Sequence, residues 1–562
     1  MILLNNLKQK YIGSALLLLL SSVVVKFISA VYKIPLTAYI GATGRGYFNI
    51  AYNLYMPVHA VIMGAFPIAL SHLVSKYNEK GNSAKIYALK KAGKLLFFVV
   101  GVIGTVLMIL LAKPYANIIA SEKSIYTIYV IAPTVLFSAI CAGNRSLAEG
   151  FMNMVPTSVS QIIEAVFKLV FGLLFAKYSM GYLYEMYLNS GAVLGIACET
   201  EQAALSLIYP LTSAAAMGGV TVGAFVSMVY TSVYTSVKYN SFKISREYTV
   251  GESMKEIAVF SGPIIVSTII QSVSTFLDNS SVQYCLSLCD SEILKNAYQG
   301  CLMASGADEG DLVTYIYGLF SSAQDFKNLL PGFTMALGVA AVPAVSASFE
   351  SRNHERLSSL LNSIFKYTSI IALGGGMYLS LTAVYLLSVL YGNSNSDIVM
   401  GTVTLVEYYG FTMFFYCLAG LSAFAVQAVG KAKAGIPAII ISAVLRIGIN
   451  YFLVSDENIN IYGTVVSGAV GYFVILVCNM IILKKETCIR YDKLNIIFKP
   501  VFCSLLSYFF TKAVFCSVFT DMGDILNLLV ISAIFVVFFT GLLILSKTIK
   551  FSEIKFLKYC KK

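Results

Sequence analysis

Long apolar runs alternate with short polar segments along the whole chain. A helix that crosses a bilayer needs about 20 mostly apolar residues. The pattern predicts spans near 11–38, 46–74, 90–112, 124–150, 154–177, 204–236, 255–284, 312–348, 358–391, 398–428, 433–454, 460–483, 496–516 and 523–547. Several exceed the minimum, which implies tilt or extension past the hydrocarbon. The fold class is therefore an all-α integral membrane protein with about fourteen transmembrane helices. Lys8 and Lys10 precede the apolar run Tyr11–Val25, as in a signal peptide. However, Lys26 follows at once and no clear cleavage site appears, so a retained first helix is expected.

The polar segments sort into two sets by charge. One set carries 27 Lys/Arg: the N-terminus, 75–94, 237–256, 349–357, 429–433, 484–499 and the C-terminal tail. The other carries six, namely Arg45, Lys113, Lys123, Lys177, Lys295 and Lys512, and holds 14 acidic residues. A missing or extra span in mid-chain would scramble this alternation. The positive-inside rule places both termini in the cytoplasm and the protein in the cell membrane. The tail, with Lys547, Lys550, Lys555, Lys558, Lys561 and Lys562, is suited to anionic headgroups.

Composition narrows the class further. Of 562 residues, 58% are hydrophobic and 12% charged, with mean hydropathy +0.78. Soluble domains carry about twice that charge density. A soluble enzyme, a nucleic-acid-binding protein and a disordered scaffold are excluded, and the net charge of +12 belongs to membrane loops. The 11 cysteines are scattered through apolar segments, with Cys285, Cys289 and Cys301 as the one cluster, and His59, His72 and His354 are the only histidines. No metal or cofactor is expected; most cysteines read as small packing residues.

The two halves resemble each other. Ala65-Phe66-Pro67-Ile68-Ala69 is answered by Ala341-Val342-Pro343-Ala344-Val345. Cys141-Ala142-Gly143 recurs as Cys417-Leu418-Ala419-Gly420, and Ala165-Val166-Phe167-Lys168 as Ala443-Val444-Leu445-Arg446. The offsets, 276 to 278 residues, hold over three places. An even number of spans separates the copies, so both halves insert the same way up. That implies two six-helix lobes about a pseudo-two-fold axis along the membrane normal, with a site between them. The expected division is 1–250 for the first lobe, 251–485 for the second, and 486–562 for two extra helices and the basic tail.

Ionisable residues inside spans mark function or pairing, because each costs at least ~2.5–3.5 kcal/mol at mid-bilayer. The embedded cations are Lys26, Lys33, Arg145, Lys168, Lys327 and Arg446, and the embedded acids are Glu149, Glu164, Asp278, Asp325 and Glu407. Arg145 and Glu149 are spaced i,i+4, as are Glu164 and Lys168, so each pair can meet on one helix face. Lys26 and Lys33 share a face of the first span, two turns apart, and no acid lies on that span. Arg45 stands at its outer end. His59 follows Pro57 on the second span, where packing and a cavity role compete. The eighth span carries Gln324-Asp325-Phe326-Lys327 and then Leu330-Pro331-Gly332, where a kink could open a wet cavity. Asp278 is a candidate ligand for a coupling ion, H+ or Na+, or else a salt-bridge partner. The excess of cations points to an anionic ligand such as a diphosphate or carboxylate.

There is no Walker A sequence, no GxSxG and no HExxH, so neither an ATPase engine nor a familiar hydrolase site is encoded. Gly41-Ala42-Thr43-Gly44-Arg45-Gly46 reads as a tight turn between spans. Asp308-Glu309-Gly310-Asp311 is an acidic run in an outer loop with few other ligands.

The stretch Lys33-Ile34-Pro35-Leu36 through Ile40-Gly41-Ala42-Thr43-Gly44 to Gly46-Tyr47-Phe48 resembles the first-helix signature of the stage V sporulation protein B family. So do the stretch from Gly150-Phe151-Met152-Asn153 to Ile163-Glu164, Gly218-Gly219-Val220-Thr221-Val222-Gly223, and Val342-Pro343-Ala344-Val345-Ser346. The resemblance is carried by their order over roughly residues 10 to 550 rather than by any one motif. That family belongs to the multidrug/oligosaccharidyl-lipid/polysaccharide exporter superfamily and is similar to the lipid II flippases.

The resemblance implies alternating access and a cationic cavity built mainly by helices 1, 2, 7 and 8. In those flippases, first-helix cations and an Asp–basic pair on helix 8 are functional. Lys26, Lys33, Asp325 and Lys327 fall at similar places, and His59 lies near a cavity Arg. Lysine stands where the relatives often use arginine, so phosphate would meet a point charge rather than a bidentate fork. The resulting expectation is a non-enzymatic flippase for an undecaprenyl-diphosphate-linked saccharide. Its diphosphate would be held by Lys26, Lys33 and Lys327, and its lipid tail would lie along the two extra helices. The rivals are an ion-coupled multidrug or cation antiporter of the same fold, a membrane glycosyltransferase or polymerase, and a non-transporting envelope scaffold.

Overall fold

The computed structural model describes residues 2–239, 248–392, 395–487, 489, 491–518 and 523–549. The basic tail beyond 549 and the loop 240–247 lie outside the described residues. The chain is almost wholly helical and divides into two compact units, 1–287 with 306–318, and 288–305 with 319–562.

The first unit begins with α1 (Ile2–Glu79), followed by α2 (Ser83–Ile118), α3 (Ser124–Gly150) and α4 (Val155–Ser190). A two-residue ribbon, β1 (Ala192–Val193) with β2 (Ile196–Ala197), leads to α5 (Glu201–Lys238), and α6 (Val250–Leu286) follows. The expected turn at 41–46 is instead a single break: Gly41 has φ 63° and ψ −175°, with helix on both sides. Only glycine takes that φ without strain, so one residue redirects the chain and no loop is needed. The α4–α5 pair packs unusually closely: a Cβ on Gly219 would lie 2.2 Å from the Gly172 nitrogen. Such small-residue contacts replace the hydrophobic drive that lipid cannot supply.

The second unit contains the short outer helices α7 (Ser291–Ala297) and α8 (Gln299–Ser305). Then α9 (Leu312–Lys327) runs from the first unit into the second. It is followed by α10 (Leu329–Glu350), α11 (His354–Tyr391), α12 (Ser396–Ala428), α13 (Ile436–Leu453), α14 (Gly463–Thr487), α15 (Lys499–Val518) and α16 (Asp524–Leu545). The break expected at Pro331-Gly332 falls at Asn328, between α9 and α10. Pro331 thereby sits in the first turn of α10, where its missing N–H costs nothing. The two final helices pack on α11 through Ile370, Met377, Cys503, Phe535, Phe539 and Leu543.

Among the described residues, twelve helices are long and apolar enough to cross a membrane, or thirteen if the bent pair Val250–Gly262 and Ile264–Leu286 is one span. One of the twelve, Leu20–Glu79, has 60 residues, about three times a span's needs. Dividing it at Gly41 brings the count to about fourteen. The protein is a multi-pass membrane protein.

Contacts between polar segments respect the alternation of charge. On the lysine-rich side of the first unit, Tyr77 Oη donates to Glu256 Oε1 (2.9 Å), Lys85 pairs with Glu256 Oε2 (3.1 Å) and Asn82 Nδ2 donates to Tyr248 Oη (2.9 Å). In the second, Lys431 pairs with Glu486 (3.1 Å), and the Asp492 amide donates to Asn362 Oδ1 (3.0 Å). On the opposite side, Tyr298 Oη donates to Asn460 Oδ1 (2.6 Å) and Cys289 Sγ to the Val454 carbonyl (3.3 Å). Burial pushes the Tyr298 hydroxyl and the Cys301 thiol up from their ordinary values, so both stay protonated.

Candidate functional site

In the first unit the site starts from α1. Lys26 is exposed and Lys33 half-buried, about 10 Å apart along the axis. Beyond the Gly41 break, Phe48, Tyr52, Tyr55 and His59 recur at spacings of four, three and four, which stacks them along one face. Ring centroids are 5.8 Å apart for Phe48–Tyr52, 5.6 Å for Tyr52–Tyr55 and 4.9 Å for Tyr55–His59, and Tyr32 lies 6.5 Å from Phe48. Lys168 of α4 places its Nζ 5.1 Å from the Tyr32 ring and 5.3 Å from the Tyr52 ring. A desolvated cation over a ring is worth up to about 2 kcal/mol.

Beneath this row lies a buried guanidinium. Arg145 Nε donates to Ser160 Oγ (2.7 Å), and Nη2 donates to Glu164 Oε2 (3.2 Å) and Ser227 Oγ (3.1 Å). Glu149 accepts from Thr157 Oγ1 (2.7 Å). The i,i+4 spacing of Arg145 with Glu149 and of Glu164 with Lys168 therefore does not describe the partners shown. Arg145 reaches across from α3 to Glu164 on α4, and Lys168 turns to the tyrosines.

Other candidates fall differently. Arg45 is 1% exposed, so it belongs to the interior of the unit rather than to an open surface. His59 packs against Tyr55 with the rings tilted by 36° and is half-buried. Asp278, half-buried on α6, adjoins Asn279, whose Nδ2 donates to Asn53 Oδ1 (3.3 Å). Asn53 Nδ2 in turn donates to Tyr317 Oη. This gives a polar seam of Asn53, Asn279 and Tyr317 next to Asp278. From the acidic run, Asp311 is buried and accepts from Lys123 Nζ (3.0 and 3.1 Å) and Tyr47 Oη (2.7 Å). Its oxygens are thus committed to an ion pair and a hydrogen bond.

In the second unit Lys327 is the last residue of α9, where the helix dipole favours a cation. Its Nζ stands 4.8 Å from the Tyr409 ring and 5.7 Å from the Tyr472 ring. Arg446 shares Tyr472, with Cζ 5.5 Å from the centroid, and Tyr416 stacks on Tyr472 at 4.1 Å. Asp325 is half-buried two residues before Lys327. The tyrosines that cover these cations were not singled out from sequence. The one-face spacing on α1 was a legible signal for Tyr52, whereas Tyr409 and Tyr472 come from different helices and left none.

Both units thus present lysine ammonium groups against aromatic faces inside membrane-spanning helices. Such groups hold anions by charge, without fork geometry.

Comparison with known proteins follows the same lines. Residues 13–198 match the family model described as polysaccharide biosynthesis protein, and residues 318–452 match MatE. The lipid II flippase MurJ of Bacillus subtilis (strain 168) is 22% identical over 86% of this chain and 84% of its own. Stage V sporulation protein B of the same organism is 21% identical over 83% of this chain and 82% of its own. Among solved structures, a lipid II flippase MurJ in an inward closed conformation aligns with TM-score 0.65 at 13% identity, covering 94% of this chain and 99% of that one. An inward-facing multidrug resistance MATE family transporter of the MOP superfamily aligns with TM-score 0.60 at 14% identity, covering 82% of this chain and 98% of that one. The resemblance read from Lys33–Phe48 onward is matched in sequence and in fold.

Proposed function

We propose that this chain, which shares the sequence signatures and fold of the MOP superfamily, is a flippase for an undecaprenyl-diphosphate-linked saccharide. It works by alternating access and is a transporter rather than an enzyme. The observation that carries the reading is the balance of charge within the spans of the first unit. By sequence the spans of the first unit carry Lys26, Lys33, Arg145 and Lys168 against Glu149, Glu164 and Asp278, with Arg45 at the outer end of the first span, and Glu164 is engaged by Arg145. A lipid diphosphate is the anion such a surface suits, and an organic cation is not. The relatives named for lipid II flipping support the same substrate class.

On this reading Lys26 and Lys33 meet the diphosphate from the first unit. Lys327 offers the same anion chemistry in the second, with Asp325 as the carboxylate two residues before it. Arg45 and His59 support the first helix pair from within. The seam around Asp278 is the place for a coupling ion, H+ or Na+. Glu164, Lys168 and Arg446 hold the helices that carry the cations. The lysine-rich side is cytoplasmic, with both termini on it.

Binding of the purified protein to lipid II, to undecaprenyl diphosphate and to an organic cation tests this. Lipid-diphosphate binding that is lost on Lys26→Ala/Lys33→Ala supports the reading. Cation binding alone, indifferent to the lysines, would move the chain to the drug-antiporter alternative.

A further inference from the structure

We infer that the first unit carries a separate binding site for an anionic phospholipid at the lysine-rich face of the membrane. The site is a groove of about 580 Å3 between α2, α3 and the end of α5, lined by Lys91, Lys94, Leu95, Phe98, Ile140 and Asn144 among others. Its walls are apolar, and no acid is among the described residues that line it.

The depth of the groove follows from α2 itself. Between Lys94 and Lys113 run 18 residues without a charge. At 1.5 Å per residue that is about 27 Å, the thickness of the hydrocarbon layer. Lys94 therefore marks one edge of the hydrocarbon, and Lys91 stands one turn further out, at the level of lipid phosphates.

Both lysines are exposed, and Lys91 Nζ rests 4.9 Å from the Tyr87 ring. Their neighbours are already committed: Lys90 Nζ donates to the Tyr239 carbonyl (2.7 Å), and Lys85 pairs with Glu256. The polar groups of the floor are satisfied as well. Asn144 Nδ2 donates to Ser232 Oγ (3.0 Å), and its Oδ1 accepts from Thr235 (3.1 Å). What the groove offers a ligand is thus two ammonium groups at phosphate depth above a channel of Leu95, Phe98 and Ile140. A two-chain lipid with a negative headgroup fits: the phosphate sits at Lys91 and Lys94, and one acyl chain lies along the channel. Basic pockets between helices at this level are the usual form of anionic-lipid recognition.

The chain contains no tryptophan, which makes the test direct. Phe98→Trp, at a lining position that is 50% exposed, gives a single tryptophan, excited selectively over the tyrosines, in the groove. Val106→Trp, exposed on the same helix outside the groove, gives the control. Each full-length protein is reconstituted with brominated phosphatidylglycerol or brominated phosphatidylcholine over the same series of mole fractions, and quenching is read at each. The proposal predicts that Trp at 98 is quenched by the anionic lipid at a mole fraction lower on the order of tenfold. It also predicts that Lys91→Ala/Lys94→Ala abolishes the preference, and that Trp at 106 shows none. Equal quenching by both lipids at 98, a preference that survives the double substitution, or displacement of the brominated lipid by trace undecaprenyl phosphate would each overturn it.

Discussion

In the first unit Arg145, Glu164 and Lys168 share one locality: a buried guanidinium on a carboxylate, and an ammonium on two tyrosines. The repeat offsets of 276 and 278 residues carry these positions to Leu421, Ser442 and Arg446 in the second unit. There the slot of the carboxylate holds a hydroxyl, which donates to the Gly471 carbonyl (2.9 Å). The slot of the guanidinium holds a buried leucine. The third slot keeps its cation, and in both units that cation lies over a tyrosine: Tyr32 and Tyr52 in one, Tyr472 in the other. At these offset positions the cation-on-ring contact occurs in both units, and the ion pair in the first alone. The lesson is that Arg145 and Glu164 hold their unit together as one of two workable solutions, whereas the capped cations are what both halves retain.

The largest effect should come from breaking the ion pair on one side only. Glu164→Ser leaves Arg145 buried beside serines. Removing one partner of a buried pair costs about 3–5 kcal/mol, and partial exposure of Glu164 brings this toward the lower end. Thermal unfolding in detergent should fall by several degrees. Arg145→Leu/Glu164→Ser, which installs the residues of the second unit, should recover at least half of that loss. A double variant as unstable as the single one would show that the two halves are not interchangeable solutions.

Next in size is Lys327→Gln, which removes the charge over Tyr409 and Tyr472. Charge-assisted contacts are worth about 1.5–3 kcal/mol, so transport should drop roughly tenfold or more, while Lys327→Arg retains most of it. Equal loss in both variants would assign Lys327 to shape rather than charge. Smaller again are the rings. Tyr472→Leu should cost about 1 kcal/mol of stability, and more than Tyr52→Leu. Tyr472 serves both Lys327 and Arg446, whereas Lys168 keeps Tyr32 when Tyr52 is lost. A larger cost at Tyr52, read in the same unfolding assay, would reverse the ranking of the two clusters.

Much of this architecture is legible in the amino-acid sequence. Span length and the 27-to-six split of Lys/Arg set the helices and their alternation, because both follow from the physics of the bilayer. The pairings were less legible. Spacing alone joins Arg145 to Glu149, but an arginine on α3 can reach the next helix as easily as its own, and Thr157 satisfies Glu149. The glycine-rich stretch 41–46 reads as a tight turn between spans; a single positive φ at Gly41 makes the break, with helix on both sides. Pro331 signalled a kink, and the break came three residues earlier, because a helix accepts proline in its first turn. The one-face spacing on α1 marks Tyr52, but Tyr409 and Tyr472 cover Lys327 from two other helices, a packing that no local pattern encodes.

The central claim is that first-helix cations move a lipid diphosphate. The most direct measurement is translocation of lipid II by the full-length protein in proteoliposomes, wild type beside Lys26→Ala/Lys33→Ala, with each protein quantified after reconstitution. The account predicts that the double variant inserts and unfolds like wild type but loses at least about nine-tenths of its flipping rate, the tenfold that one charge-assisted contact is worth. Wild-type flipping in the double variant would contradict it.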